Sequence, residues 1–241
     1  MGIKAVVSAI GILSQFGLLS TGIPVCLKIR QQGSTKNVTF FPFLTTCLSS
    51  ILWTKYGILT DDMAVYVVGI LGTVWQSVYL LFYYFYTRKK ALQEIYSRCL
   101  NQLTPHQKLL SLRLVMAFLG VCAILTYIKY YSGDHDTAVY HLGYVASGFS
   151  IAVYGSPLIS VTNVIKYKST EFMTFSMCLA TFVVSFLWTI YGFLEGDNFI
   201  LVPNGIGVVL GSMQLFLFIL YPKTSQKSIL YDSSSRLDKP V

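Results

Sequence analysis

Two tryptophan and tyrosine pairs are the side chains in this chain best suited to chemistry. Trp53 and Tyr56, in LWTKYG at 52–57, return as Trp188 and Tyr191 in LWTIYG at 187–192. Residues three apart share one face of a helix. An indole face is large, rigid and apolar, with one N–H at its edge, so it suits the C–H faces of a sugar ring or another flat, partly apolar solute. For either Trp alone an interfacial aromatic belt is the alternative; recurrence of the pair argues for a paired site. Asn204 follows Pro203, with Gly205, Gly207 and Gly211 close behind. An amide within an apolar helix is costly unless satisfied, so it faces an interior. There it either bonds a neighbouring helix across the small residues or hydrogen-bonds vicinal hydroxyls of a neutral solute.

The elements that carry these residues are duplicated. The 135-residue offset between the tryptophans also pairs Ser34 with Ser169, Thr35 with Thr170, Phe40 with Phe175, Thr46 with Thr181, Asp62 with Asp197, Gly72 with Gly207 and Tyr86 with Tyr221. Pro24 and Pro157 pair at an offset of 133. A duplicated hydrophobic unit is a transporter ground plan, with the substrate site where the copies meet. Hydrophobic residues make up 54 % of the chain, charged residues 12 %, and the mean hydropathy is +0.60; soluble domains average about 25 % charged. The chain is therefore read as an integral membrane protein. Runs able to cross about 30 Å of hydrocarbon fall at 5–27, 41–59, 64–86, 110–131, 141–163, 174–194 and 199–221, making seven helices. The first run has only Lys4 before it and lacks a small-residue cleavage site, so it reads as a retained span.

Charge orients the bundle. Three loops are acidic and without Lys or Arg, holding Asp61 and Asp62, Asp134 and Asp136, and Glu195 and Asp197. The alternate loops hold Lys28, Arg30 and Lys36, then Arg88, Lys89, Lys90, Arg98 and Lys108, then Lys166 and Lys168, with more in the tail. By the positive-inside rule the N-terminus lies outside or lumenal and the C-terminus is cytosolic. The net charge of +8 is thus a topology signal, and no nucleic-acid partner is implied. Both copies begin with a span entering the basic side, so they lie parallel. The unpaired span at 110–131 returns the chain across the membrane, giving an all-α membrane protein with seven transmembrane helices arranged 3+1+3, two triple-helix bundles joined by a linker helix. The divisions are 1–88 for the first repeat, 89–132 for a polar cytosolic connector and linker helix, 133–222 for the second repeat and 223–241 for a cytosolic tail.

Every Asp and Glu is read as lying in a loop or the tail, so no intramembrane carboxylate serves as a proton or sodium site. There is no metal-ligand cluster, no cofactor motif and no nucleophile with a base, so the chain is not an enzyme. His141 reads as a surface residue. Four of five cysteines lie in spans and Cys99 on a cytosolic loop, so no disulfide is expected. The sequon Asn37-Val38-Thr39 faces the cytosol and stays unmodified. A neutral aromatic and amide pocket suits an uncharged polar solute moved downhill.

The stretch 168–221, with KSTEFM, FLWTIYGFLEGD and VPNGIGVVLGSMQL, resembles the second repeat of the SWEET sugar transporters, and 34–86 resembles the first. Parallel repeats are the known arrangement of that family. The resemblance implies a sugar held between Trp53 and Trp188 and hydrogen-bonded by Asn204. The family's other pocket Asn falls at Gly69, a departure that implies a wider pocket, weaker affinity or a different substrate. Gln76 lies seven residues on, about 10 Å deeper, and is a poor substitute. Size selection falls at Ser49 and Val184, both small.

Four hinge prolines in the family match Pro24, Pro42 and Pro157, with Thr174 in the fourth place. The outer gate pairs Tyr56 with Asp197, and the repeat adds Tyr191 with Asp62. The implied activity is facilitative, bidirectional uniport of a mono- or disaccharide, hexose favoured, by alternating access. The partners are the sugar, the lipid bilayer and further copies of the chain, at the plasma membrane or a Golgi or endosomal membrane. A non-transporting trafficking adaptor of the same fold is the rival reading; a seven-span receptor does not fit a parallel repeat.

Overall fold

The computed structural model describes residues 2–35, 38–97, 105–130 and 133–221. Lys36 and Asn37, Cys99 with part of the 89–132 connector, and the 223–241 tail lie outside the described residues. The described chain is helical: α1 Ile3–Ser20, α2 Ile23–Gln32, α3 Phe41–Leu59, α4 Met63–Ser97, α5 Pro105–Tyr130, α6 His135–Val153, α7 Gly155–Tyr167, α8 Phe175–Glu195 and α9 Asn198–Leu220, with a 3-10 turn at Thr170–Phe172. It is an all-α membrane protein. Among the described residues, six helical stretches are long and apolar enough to cross a bilayer, at 3–32, 63–87, 112–130, 135–167, 175–195 and 198–220. The expected span at 41–59 is α3. Its 19 residues reach about 28 Å, but Thr45, Thr46, Ser49, Ser50, Thr54 and Lys55 dilute its apolar content. The expected span at 64–86 underestimates its helix, because α4 continues to Ser97. Residues 88–94 are mostly polar but all strong helix formers, so the apolar run stops before the helix does.

The first and fifth spans are broken. α1 gives way to α2 at Thr21 and Gly22, and α6 to α7 at Tyr154. Thr21 lies three residues before Pro24 and Tyr154 three before Pro157. A proline has no N–H for the carbonyl four residues back and crowds the preceding turn, so the helix breaks just upstream. Pro42, in contrast, sits in the first turn of α3, where its missing N–H costs nothing.

The chain forms two compact units, Met1–Val153 and Tyr154–Val241. In the first, α3 packs along α4, α1 and α2 lie on α4, and α6 lies on α3, with lighter contacts from α5. In the second, α8 packs along α9 and α7 on α9. The boundary falls within the fifth span, whereas the repeat boundary read from the sequence is at 133; the one follows packing and the other duplication.

The α3–α4 and α8–α9 connections use the same turn. Asp61 has φ 53° and Gly196 has φ 70°, and the next residue in each, Asp62 or Asp197, returns its N–H over 2.9 Å to Gly57 or Gly192. A left-handed residue here ends the first helix, and an Asp then begins the second. The helices close tightly past this turn: a Cβ on Gly192 would stand 2.8 Å from Leu201 N, and one on Gly57 2.5 Å from Tyr66 N. The other end of each unit is apolar. Ile29 and Tyr83 form the buried cluster in the first, and Val161, Val164, Met173, Cys178 and Leu217 in the second.

Candidate functional site

In the first unit Trp53 projects from α3 and stands edge-on to Tyr56, with ring centroids 5.3 Å apart and planes at 79°. This is the favoured quadrupolar arrangement of two aromatic rings, and it helps fix the indole. Tyr56 is 2 % exposed. The indole N–H donates to Ser150 Oγ on α6 at 2.8 Å. Ser49, one turn before Trp53, lies 3.5 Å from the same Oγ. Ser49, Trp53 and Ser150 thus form one polar cluster joining α3 to α6. Asp134, before α6, is bonded by Thr137 through both its side chain and its backbone N–H, which holds the carboxyl below its ordinary pKa and anchors the start of that helix.

Gly69 faces α3. A Cβ there would come 2.6 Å from Thr54 N and 2.8 Å from Thr54 Cα. The space that a side chain would need is occupied by Thr54, its hydroxyl and its backbone, so Gly69 lets two helices come together in this unit. Gln76 is buried and its amide oxygen has no protein partner.

The second unit repeats the aromatic geometry. Trp188 stands edge-on to Tyr191 at 5.3 Å and 78°. Trp188 is 7 % exposed, yet its indole N–H has no acceptor. Val184, at the position of Ser49, is buried and apolar. Asn204 sits nearly two turns into α9 beside Pro203 and donates one amide N–H to Ile200 O at 2.8 Å. Its carbonyl and second N–H remain as polar capacity.

The positions expected from the sequence to gate and hinge have local structural roles. Asp62 Oδ1 accepts from Ala64 N at 2.9 Å and Val65 N at 3.1 Å; Asp197 Oδ1 accepts from Phe199 N at 2.8 Å and Ile200 N at 3.3 Å. Both carboxylates cap the helix that follows, where the macrodipole favours negative charge. Thr174 is the extended N-cap of α8, and its carbonyl takes the first helical N–H groups.

Three residues missed in the sequence serve these sites. Ser150 gives no motif and has Gly17 at its repeat position, so nothing local marks it. Tyr79 lies across the α1 break: its hydroxyl donates to Leu19 O at 2.9 Å and accepts from Trp75 Nε1 at 2.7 Å. A Cβ on Gly22 would strike the Tyr79 ring. Tyr154 holds the α6 to α7 break, its hydroxyl hydrogen-bonded to Ser185 and resting on Gly207. Ser185 is one turn from Trp188, and Gly207 one turn from Asn204. Each broken span is thus clamped by a tyrosine hydroxyl, and the adjoining Gly-Ser-Pro was the one sequence signal beside Tyr154.

A sequence model of the family described as "Sugar efflux transporter for intercellular exchange" matches residues 5–91 and 140–226. Sugar transporter SWEET1 of Danio rerio is 33 % identical over 207 residues, covering 86 % of this chain and 87 % of that protein. Sugar transporter SWEET1 of Rattus norvegicus is 33 % identical, covering 88 % of each. Bidirectional sugar transporter SWEET16 of Arabidopsis thaliana is 31 % identical over 80 % of this chain and 79 % of its own. A solved eukaryotic SWEET transporter is similar in structure, with a TM-score of 0.77 at 25 % identity, over 90 % of this chain and 95 % of that one. The two matched segments carry the two copies of the Trp and Tyr pair, and with these relatives they establish that the chain belongs to the SWEET family.

Proposed function

We infer that the protein is a facilitative, bidirectional sugar uniporter that carries a neutral mono- or disaccharide, hexose favoured, by alternating access. The observation that carries this reading is the recurrence of one aromatic geometry, Trp53 on Tyr56 and Trp188 on Tyr191, at the same 5.3 Å separation in both copies. Two indole faces and the Asn204 amide suit an uncharged ring with apolar faces and a polar edge. Membership in a family whose named members are sugar transporters supports the substrate class.

In this reading Trp53, Trp188 and Asn204 bind the sugar, and Ser49 and Val184 set the room beside it. Tyr56 with Asp197, and Tyr191 with Asp62, close the outer side. The breaks before Pro24 and Pro157 flex as the inner side opens, while Pro42 and Thr174 begin the helices that move with them. The chain works as a homo-oligomer in the plasma membrane or an internal membrane, N-terminus outside or lumenal and C-terminus cytosolic. The lack of carboxylates in the mid-membrane parts of the spans supports uncoupled transport.

Glucose uptake into proteoliposomes tests this, with wild type and Trp188→Ala, each with and without an imposed pH gradient. Uptake that requires Trp188 and ignores the gradient is expected. Accumulation driven by the gradient would overturn uniport. A folded protein that moves neither glucose, fructose nor sucrose would leave the adaptor reading in its place.

A further inference from the structure

We propose that the two halves recognise the sugar unequally, the first by stacking alone and the second through directional hydrogen bonds centred on the indole N–H of Trp188. The proposal rests on the sugar reading of the two tryptophans above and adds the atoms that discriminate between sugars.

The chain has three tryptophans, and their N–H groups have different fates. Trp53 donates to Ser150 Oγ and Trp75 to the Tyr79 hydroxyl. Trp188 donates to no protein atom, although its N–H is buried. A buried N–H without an acceptor is unfavourable, so each one in a native structure calls for an explanation; on a tryptophan assigned to the sugar, an arriving acceptor supplies it. The partner required is an acceptor oxygen, which a sugar hydroxyl supplies.

The first half cannot offer the equivalent. Ser150 has taken the Trp53 N–H, which leaves the indole its faces. The amide that Asn204 provides in the second half has no counterpart at Gly69, and none fits, because a Cβ there meets Thr54 Oγ1 and, just behind it, the Thr54 backbone N and Cα, which cannot swing aside as a side-chain end would. The remaining buried orphan among the described residues, the Gln76 amide oxygen, is two turns along α4 from Gly69, about 10 Å away, too far to bond the same ring at the tryptophan level.

Two consequences follow. A ring with any adequate C–H face satisfies Trp53, so the first half tolerates different sugars. Trp188 and Asn204 read particular hydroxyls, Trp188 as donor and Asn204 through its remaining N–H and its carbonyl, so the choice among isomers is made in the second half.

The test is competition of glucose and its 2-, 3-, 4- and 6-deoxy analogues against labelled glucose on purified wild type, Trp188→Phe and Trp53→Phe. Wild type should bind at least one deoxy analogue about three- to tenfold more weakly than glucose, the effect of one neutral hydrogen bond. Trp188→Phe should bind glucose more weakly and lose that discrimination. Trp53→Phe should weaken all five sugars while keeping the wild-type order. A Trp188→Phe profile with full wild-type discrimination overturns the proposal while leaving the sugar site standing. Wild type that binds none of the sugars overturns both. A second reading needs no folded variant of Trp188: in wild type labelled with 15N-tryptophan, glucose should move the Trp188 indole resonance downfield, and an unmoved resonance under saturating glucose also overturns the proposal.

Discussion

The hydroxyl of Ser150 accepts the indole N–H of Trp53 at 2.8 Å across 97 positions of sequence, tying the second span of the first repeat to the first half of the fifth span. Ser150→Ala removes that acceptor from a partly buried donor. A loss of about 1 kcal/mol is expected, which lowers the thermal midpoint by roughly 2–4 °C in a chain of this size. Thermal unfolding in detergent checks it, and Ser150→Thr, which keeps the hydroxyl, should recover most of the loss.

The capping role of the two aspartates can be separated from the gate role proposed for them. Asp62 and Asp197 each cap a helix with one carboxylate oxygen, and Asn caps as well as Asp. Asp197→Asn should therefore leave the thermal midpoint within a few tenths of a kcal/mol while changing sugar flux, because only the charge is lost. Asp197→Ala should also lower stability by about 1 kcal/mol. Unchanged uptake in Asp197→Asn would show that the residue caps a helix and gates nothing.

Placing at position 69 the amide that the resemblance implied should fail. Gly69→Asn places a Cβ against the Thr54 backbone, and overpacking of this kind costs about 1–3 kcal/mol. The expected outcome is a lower thermal midpoint with no gain in glucose affinity. Tighter glucose binding by a variant of wild-type stability would refute the packing argument.

The tyrosine clamps should be felt in stability. Tyr79→Phe leaves the Trp75 N–H without its acceptor at the α1 break and takes one of two donors from the Leu19 carbonyl, which keeps Gly22 N at 3.4 Å. A polar group so stranded costs about 1–3 kcal/mol. Tyr154→Phe breaks one hydrogen bond, to Ser185, and should cost less, about 1 kcal/mol. Unfolding midpoints of the two variants side by side check the order; Tyr154→Phe as the more damaging substitution would contradict it.

Much of the fold was legible because it follows from length and hydrophobicity. The run at 41–59 and α3 coincide, and α8 and α9 differ by one residue at each end from the runs read for them. The course of α4 beyond 86 was missed, since helix propensity persists in Arg, Lys, Ala and Glu after hydropathy has ended. The breaks at Thr21 and Tyr154 were signalled by Pro24 and Pro157, whose missing N–H is a covalent fact. For Gly69, substituting a small residue suggested open space, but a glycine also lets a neighbouring helix approach, and here α3 has done so.

The amino-acid sequence by itself determined the repeat, the apolar runs, the paired Trp and Tyr positions and the Asp after each tight turn. Those are matters of residue type and spacing along one chain. Only the tertiary structure decided that Trp53 is hydrogen-bonded and Trp188 is not, that Thr54 fills the space beside Gly69, and that Tyr79 and Tyr154 clamp the broken spans. Each depends on which helix faces meet within a packed unit, and a hydroxyl such as that of Ser150 acquires its role from a partner far away in sequence, where no local pattern records it.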